Sequence, residues 1–215
     1  MGDAKRVARP GRWTGTERRN QLATITLQVI AEYGVRGATL RRIAEAAGIS
    51  NPALYNHFSG RTELLEAALD ILLDRVLAWV DSSTNPNMLE RLREIAGRLH
   101  DERITGEEGW LIVPLFELSA AARAEGLTER MSMNQLTVLQ RFVDIVEEGK
   151  RQGTIRPDAD AEMVGWSLMG LRWTKDFALL EGLGQFITKG TAERILNTII
   201  DSIAAQPAPT DEAGT

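Results

Sequence analysis

Thr39-Leu40-Arg41-Arg42-Ile43-Ala44-Glu45-Ala46-Ala47-Gly48-Ile49-Ser50-Asn51-Pro52-Ala53-Leu54-Tyr55-Asn56-His57-Phe58 reads as two short helices around a tight turn. Thr39 is a good N-cap for the first, and Leu40, Ile43, Ala44 and Ala47 give it an apolar face. The small Ala44 and Ala47 let two helices cross closely. Gly48 stops the helix, Ile49 plugs the turn and Ser50 caps the second helix. Pro52 is tolerated in a first turn, where amides lack intrahelical partners. Leu54 and Phe58, four apart, form the second helix's buried face. Its other face presents Asn51, Ala53, Tyr55, Asn56 and His57. A helix-turn-helix needs this arrangement: one helix braces against the DNA backbone while the next enters the major groove.

Outward from this unit the helical spacing continues. Residues 16–33 carry apolar side chains at helical intervals, and Gly34 and Gly37 end that helix. A long helix is expected from Gly60 to about 80. Further helices are expected over about 88–103, up to 118, over 128–152, from Asp158 or Asp160 to 180, and over 191–204. No strand-like alternation or internal repeat is present. The expectation is an all-α chain of about nine helices. Residues 1–14 form a flexible basic arm, 15–62 a three-helix helix-turn-helix domain, 63–205 a helical ligand-binding and dimerisation domain, and 206–215 a disordered tail.

Charge is unevenly distributed. The whole chain carries −5, yet residues 1–62 hold ten Lys/Arg against four acids. A basic head on an acidic body fits a nucleic-acid partner for the head. There are no cysteines, which excludes disulfides, thiolate metal sites and a Cys nucleophile. No apolar run of signal-peptide or membrane-span length is seen, so a cytoplasmic protein without a membrane partner is expected.

Catalytic patterns are weak. Gly165-Trp166-Ser167-Leu168-Met169-Gly170 has one residue too many for a nucleophile elbow and lies mid-helix. Leu171-Arg172 follows where a phosphate loop has Lys-Ser/Thr. Gly165 and Gly170 are read instead as sites of close helix approach. His100 lacks a second His at ligand spacing. No enzyme activity, cofactor or metal is expected.

The segment from Arg19 to Leu69 closely resembles the TetR family of bacterial repressors. The resemblance lies in Ala31-Glu32-Tyr33-Gly34, Thr39…Ile43-Ala44…Ala47-Gly48-Ile49-Ser50, Leu54-Tyr55-Asn56-His57-Phe58 and Arg61…Leu64-Leu65. Arg61 replaces the usual Lys, and Gly60 stands where a capping Ser is common. The resemblance implies a homodimer whose first three helices bind double-stranded, palindromic operator DNA. It also implies a divergent C-terminal domain holding an effector pocket and the dimer interface. Carried onto this chain, it makes Thr39, Ser50, Tyr55, His57 and Arg61 phosphate contacts and Arg41, Asn51, Ala53 and Asn56 candidates for base edges. Arg reads guanine, Asn reads adenine, and Ala can touch only a thymine methyl.

For an apolar or amphipathic effector the candidate residues are Leu72, Val76, Trp79, Trp110, Phe116, Met131, Trp166 and Trp173. Arg172 and Lys175 are placed either to meet an anionic group on it or at the surface. For the dimer interface they are Met163, Leu168, Leu171, Ile195, Leu196, Ile199 and Ile203, on the last two long helices. The expected function is a repressor released from its operator by a small molecule. The alternative is a helical ligand-binding or enzymatic module with a purely structural helix-turn-helix.

Overall fold

The computed structural model describes residues 14–98, 109–187 and 190–205. Most of the expected arm, the tail and His100 lie outside the described residues. Thr14, assigned to the arm, instead opens the first helix, α1 (Gly15–Gly37). Its hydroxyl accepts from the Glu17 amide at 3.2 Å, and the Glu17 carboxylate accepts from the Thr14 amide at 2.8 Å. Gly34 breaks this helix with φ of 68°, a left-handed geometry open to glycine, and one more turn follows. Next come α2 (Leu40–Ala46) and α3 (Asn51–Tyr55), then α4 (Arg61–Val80) and α5 (Met88–Arg98).

A 3-10 turn (Gly109–Leu111) leads into α6 (Ile112–Ala121). α7 (Thr128–Gln152) and α8 (Ala161–Leu180) follow, and the Asp160 carboxylate caps α8 by accepting from the Met163 amide at 3.0 Å. The short α9 (Gly184–Ile187) and α10 (Thr191–Ile203) complete ten α-helices among the described residues, against about nine expected. The difference is α9, a single turn in a segment that the sequence marks only by interrupting glycines. No strand occurs among the described residues. One isolated bridge, Ile155 with Ala204, ties the α7–α8 link to the end of α10.

Two apolar cores form. The head core joins Leu22, Leu27 and Ile30 of α1 to Ile43, Leu54 and Phe58. It also takes in Leu64, Leu65, Ala68 and Leu69 of α4, and Leu118 of α6. The body core joins Leu92 and Ile95 of α5, Phe142 and Val146 of α7, Leu168 of α8, and Leu196 and Ile200 of α10. Packing thus runs across positions 62–63, because α4 belongs to both units. Its first half is buried in the head, while Leu73, Val76, Leu77 and Trp79 pack against the body.

Close approach is real at one of the two glycines singled out. A Cβ on Gly165 would lie 2.7 Å from Leu139 Cδ1, so α8 crosses α7 tightly there. Gly170 faces open space, and the expectation for it is corrected.

Candidate DNA interface and ligand cavity

Three fixed points hold the helix-turn-helix open to solvent. The Thr39 hydroxyl accepts from the Arg42 amide and the Ser50 hydroxyl from the Ala53 amide, each at 3.3 Å. Gly48, at φ of 65°, turns the chain between the two helices. Ile43, Leu54 and Phe58 anchor the inner faces in the head core. The outer face is therefore fixed in orientation. Asn51 and Asn56 are exposed, Tyr55 is 55% exposed, and Ala53 and His57 are half-buried. The Arg41 side chain is 81% exposed and pairs with Glu45 at 3.2 Å, a pairing weak enough to exchange for another partner. A capping hydroxyl that accepts from a backbone amide still has its own hydrogen to donate, so Thr39 and Ser50 keep a donor for phosphate.

Arg61 departs from the expected phosphate contact. Its Nη2 donates to the Val35 carbonyl at 2.6 Å, and its Nη1 donates to the Ala38 carbonyl. Nε donates to Glu125 Oε2 at 2.9 Å. The guanidinium is occupied within the fold because its stem points from the start of α4 to the last turn of α1 and the α1–α2 link. At the same end of α1, Glu117 Oε2 of α6 accepts from the Val35 amide at 3.1 Å.

Arg19 makes a second clasp. It donates to the His57 carbonyl and, at 2.8 Å, to Glu63, and lies 4.3 Å over the Phe58 ring. Glu63 also accepts from the Ser59 amide and hydroxyl. These bonds, with Arg19 third in weight, lower its carboxyl from 4.5 to about 2. Sequence reasoning missed both clasps, whose partners stand from 23 to 64 residues apart.

Beneath α4 lies a cavity of about 130 Å³. Of the expected ligand residues, Leu72, Val76, Trp79 and Met131 line it. The other four do not. Trp110 packs against the head core, and the Phe116 ring lies 5.9 Å from Phe177. Trp166 and Trp173 lie 6.2 Å from each other, with Trp173 against the body core. An aromatic side chain on a helix reports apolar character but not which neighbour it meets. Arg172 and Lys175, with Asp176, do line the cavity; Lys175 is only 2% exposed, which removes the surface alternative for it.

The expected dimer residues also divide. Leu168, Leu171, Leu196 and Ile203 are buried within the protomer, where α8 and α10 close over the body core. They are not available to a partner. Met163 and Ile195 are exposed and Ile199 is half-buried. Trp166 and Phe177 extend the exposed stripe on α8, at helical spacing from Met163.

A basic, capped helix-turn-helix on a helical body defines a DNA-binding transcriptional regulator. The sequence pattern of the bacterial regulatory proteins, tetR family, matches residues 24–68. A transcriptional repressor of Mycobacterium tuberculosis, KstR2, is 31% identical over 163 residues, covering 73% of this chain and 78% of that one. The chain belongs to the TetR family. A solved TetR-family regulator from Rhodococcus sp. is 25% identical, with a TM-score of 0.72 over 88% of this chain and 99% of that one. The solved ketosteroid regulator KstR2 of M. tuberculosis shares the fold, at 23% identity and a TM-score of 0.55, over 88% of this chain and 96% of that one.

Proposed function

We propose that the protein is a homodimeric repressor that leaves a palindromic operator when a small molecule enters the cavity beneath α4. The observation that carries this reading is the double placement of α4. Its first half is part of the DNA-binding head, and its second half is a cavity wall. A ligand that bound only a tilted α4 would move the head; one with equal affinity for both arrangements would shift nothing. The relative named a repressor supports the direction of control.

In this reading Thr39, Ser50, Tyr55 and His57 hold phosphates, and Arg41, Asn51, Ala53 and Asn56 meet base edges. Met163, Trp166, Ile195 and Ile199 belong to a two-fold interface. Arg61 leaves the list of phosphate contacts, for the reason given above.

Selection of bound genomic fragments by the full-length protein tests the reading. The fragments are expected to share an inverted repeat with half-site centres about 34–36 Å apart, or a multiple of that spacing. Asn51→Ala and Asn56→Ala are each expected to relax base preference by about 1–3 kcal/mol at one position. Fragments without a shared repeat, or unchanged preference in both folded variants, would reject the assignment.

A further inference from the structure

Arg172, Lys175 and Asp176 stand at i, i+3 and i+4 on α8 and share one wall of the cavity. Arg172 Nη1 donates to Asp176 Oδ2 at 2.8 Å. Arg75, exposed on α4, reaches the same cavity. Three cationic side chains and one carboxylate therefore border a space otherwise walled largely by Leu69, Leu72, Leu73, Val76, Leu115 and Val138. Burial pulls the Lys175 ammonium below its ordinary pKa, the direction expected of a cation held away from water. An anion placed beside it gains Coulomb energy in a low-dielectric setting, whereas a neutral group of the same shape does not. Trp79, on the α4 side of the cavity, has an indole N–H that is buried without an acceptor among the described residues.

We infer that the ligand is a small amphipathic monocarboxylate, its carboxylate held by Arg172 and Lys175 and its carbon body lying along α4. This rests on the reading of the cavity as the effector site. A carboxylate matches the planar fork of an arginine. Size narrows the class. The cavity of about 130 Å³ is close to the ~150 Å³ apolar cavity that accepts one benzene ring. A carbon body the size of one aromatic ring, or a short alkyl chain, fits that space.

Titration calorimetry of the full-length protein at neutral pH tests this with octanoate, octanol and octylamine. Octanoate is expected to bind about tenfold or more tightly than octanol, the scale of a charge-assisted hydrogen bond, and octylamine not at all. Lys175→Met is expected to remove most of the octanoate advantage and leave octanol binding unchanged. Arg75→Gln, at an exposed position, is expected to weaken octanoate a few-fold, and it decides the matter with the wild-type series if Lys175→Met does not fold. Equal binding of octanoate and octanol, or no binding of any of the three, would overturn the inference. So would octanoate affinity unchanged in a natively melting Lys175→Met. The gating reading fails separately: octanoate that binds but does not release selected DNA fragments breaks gating and leaves the carboxylate site standing.

Discussion

The two halves of α4 sit in unlike surroundings. The first half is sealed in the head core, with Leu64, Leu65 and Ala68 fully buried and guanidinium clasps closing backbone carbonyls around it. The second half faces a void and a group of buried charges. Dense packing transmits displacement because it cannot deform locally, whereas a cavity wall has room to move. One helix thus joins a rigid reader to a deformable socket. α6 repeats the contrast on a smaller scale: Leu118 is fully buried in the head core, while Leu115, three residues earlier, packs against that core only partly buried and also lines the cavity.

The largest expected effect tests that contrast directly. Leu118→Ala is expected to cost about 2–5 kcal/mol, the range for a leucine truncated in a packed core. Leu115→Ala is expected to cost nearer about 1 kcal/mol, since its side chain is half-buried and already borders empty space. Chemical denaturation of both variants measures this. Equal losses would show that the cavity wall is packed as densely as the head core.

A smaller effect sharpens the division of labour among the basic residues. Arg61→Ala is expected to destabilise the protein by about 1–3 kcal/mol, because the Val35 and Ala38 carbonyls lose a charged donor. The salt dependence of DNA binding is expected to keep its slope. A lost phosphate contact would instead reduce that slope by about 0.9. Melting and binding at several salt concentrations separate the two roles.

The head was legible in the sequence because its determinants are local. Thr39 and Ser50 cap, Gly48 turns, and Leu54 and Phe58 point inward, all within twenty residues. The body was legible only as helices. α8 carries apolar residues on both faces, so Leu168 and Met163 look alike in sequence, although one is buried and the other exposed. The same ambiguity misplaced Trp166 and Trp173. Arg61 shows a further limit. A basic residue at a helix start suits a phosphate or a buried carbonyl equally, and its partner Glu125 lies 64 residues away. Lys175 and Asp176 became informative only when three-dimensional packing showed them buried beside the cavity.

The smallest expected effect concerns pH, and head and body should respond with opposite sign. The Glu63 carboxyl in the head falls from 4.5 to about 2, chiefly through the Ser59 amide and hydroxyl and then Arg19. A lowered folded-state value means the carboxylate stabilises the fold above about 4.5 and loses that contribution as pH falls toward about 2. The Asp176 carboxyl in the body is raised by burial, against the pull of Arg172 and Lys175. Its protonation favours the folded state, so its contribution improves as pH falls through its raised value toward the ordinary 3.8. Melting curves of wild type, Glu63→Gln and Asp176→Asn between neutral pH and pH of about 2 read both signs. The melting advantage of wild type over Glu63→Gln is expected to shrink on acidification. It should be small throughout, because water screens an exposed carboxylate. For Asp176→Asn the wild type is expected to gain relative to the variant over the same fall in pH. An unchanged Glu63→Gln gap would show that the Ser59 and Arg19 bonds do not persist in solution and would weaken the case for a clasped, rigid head.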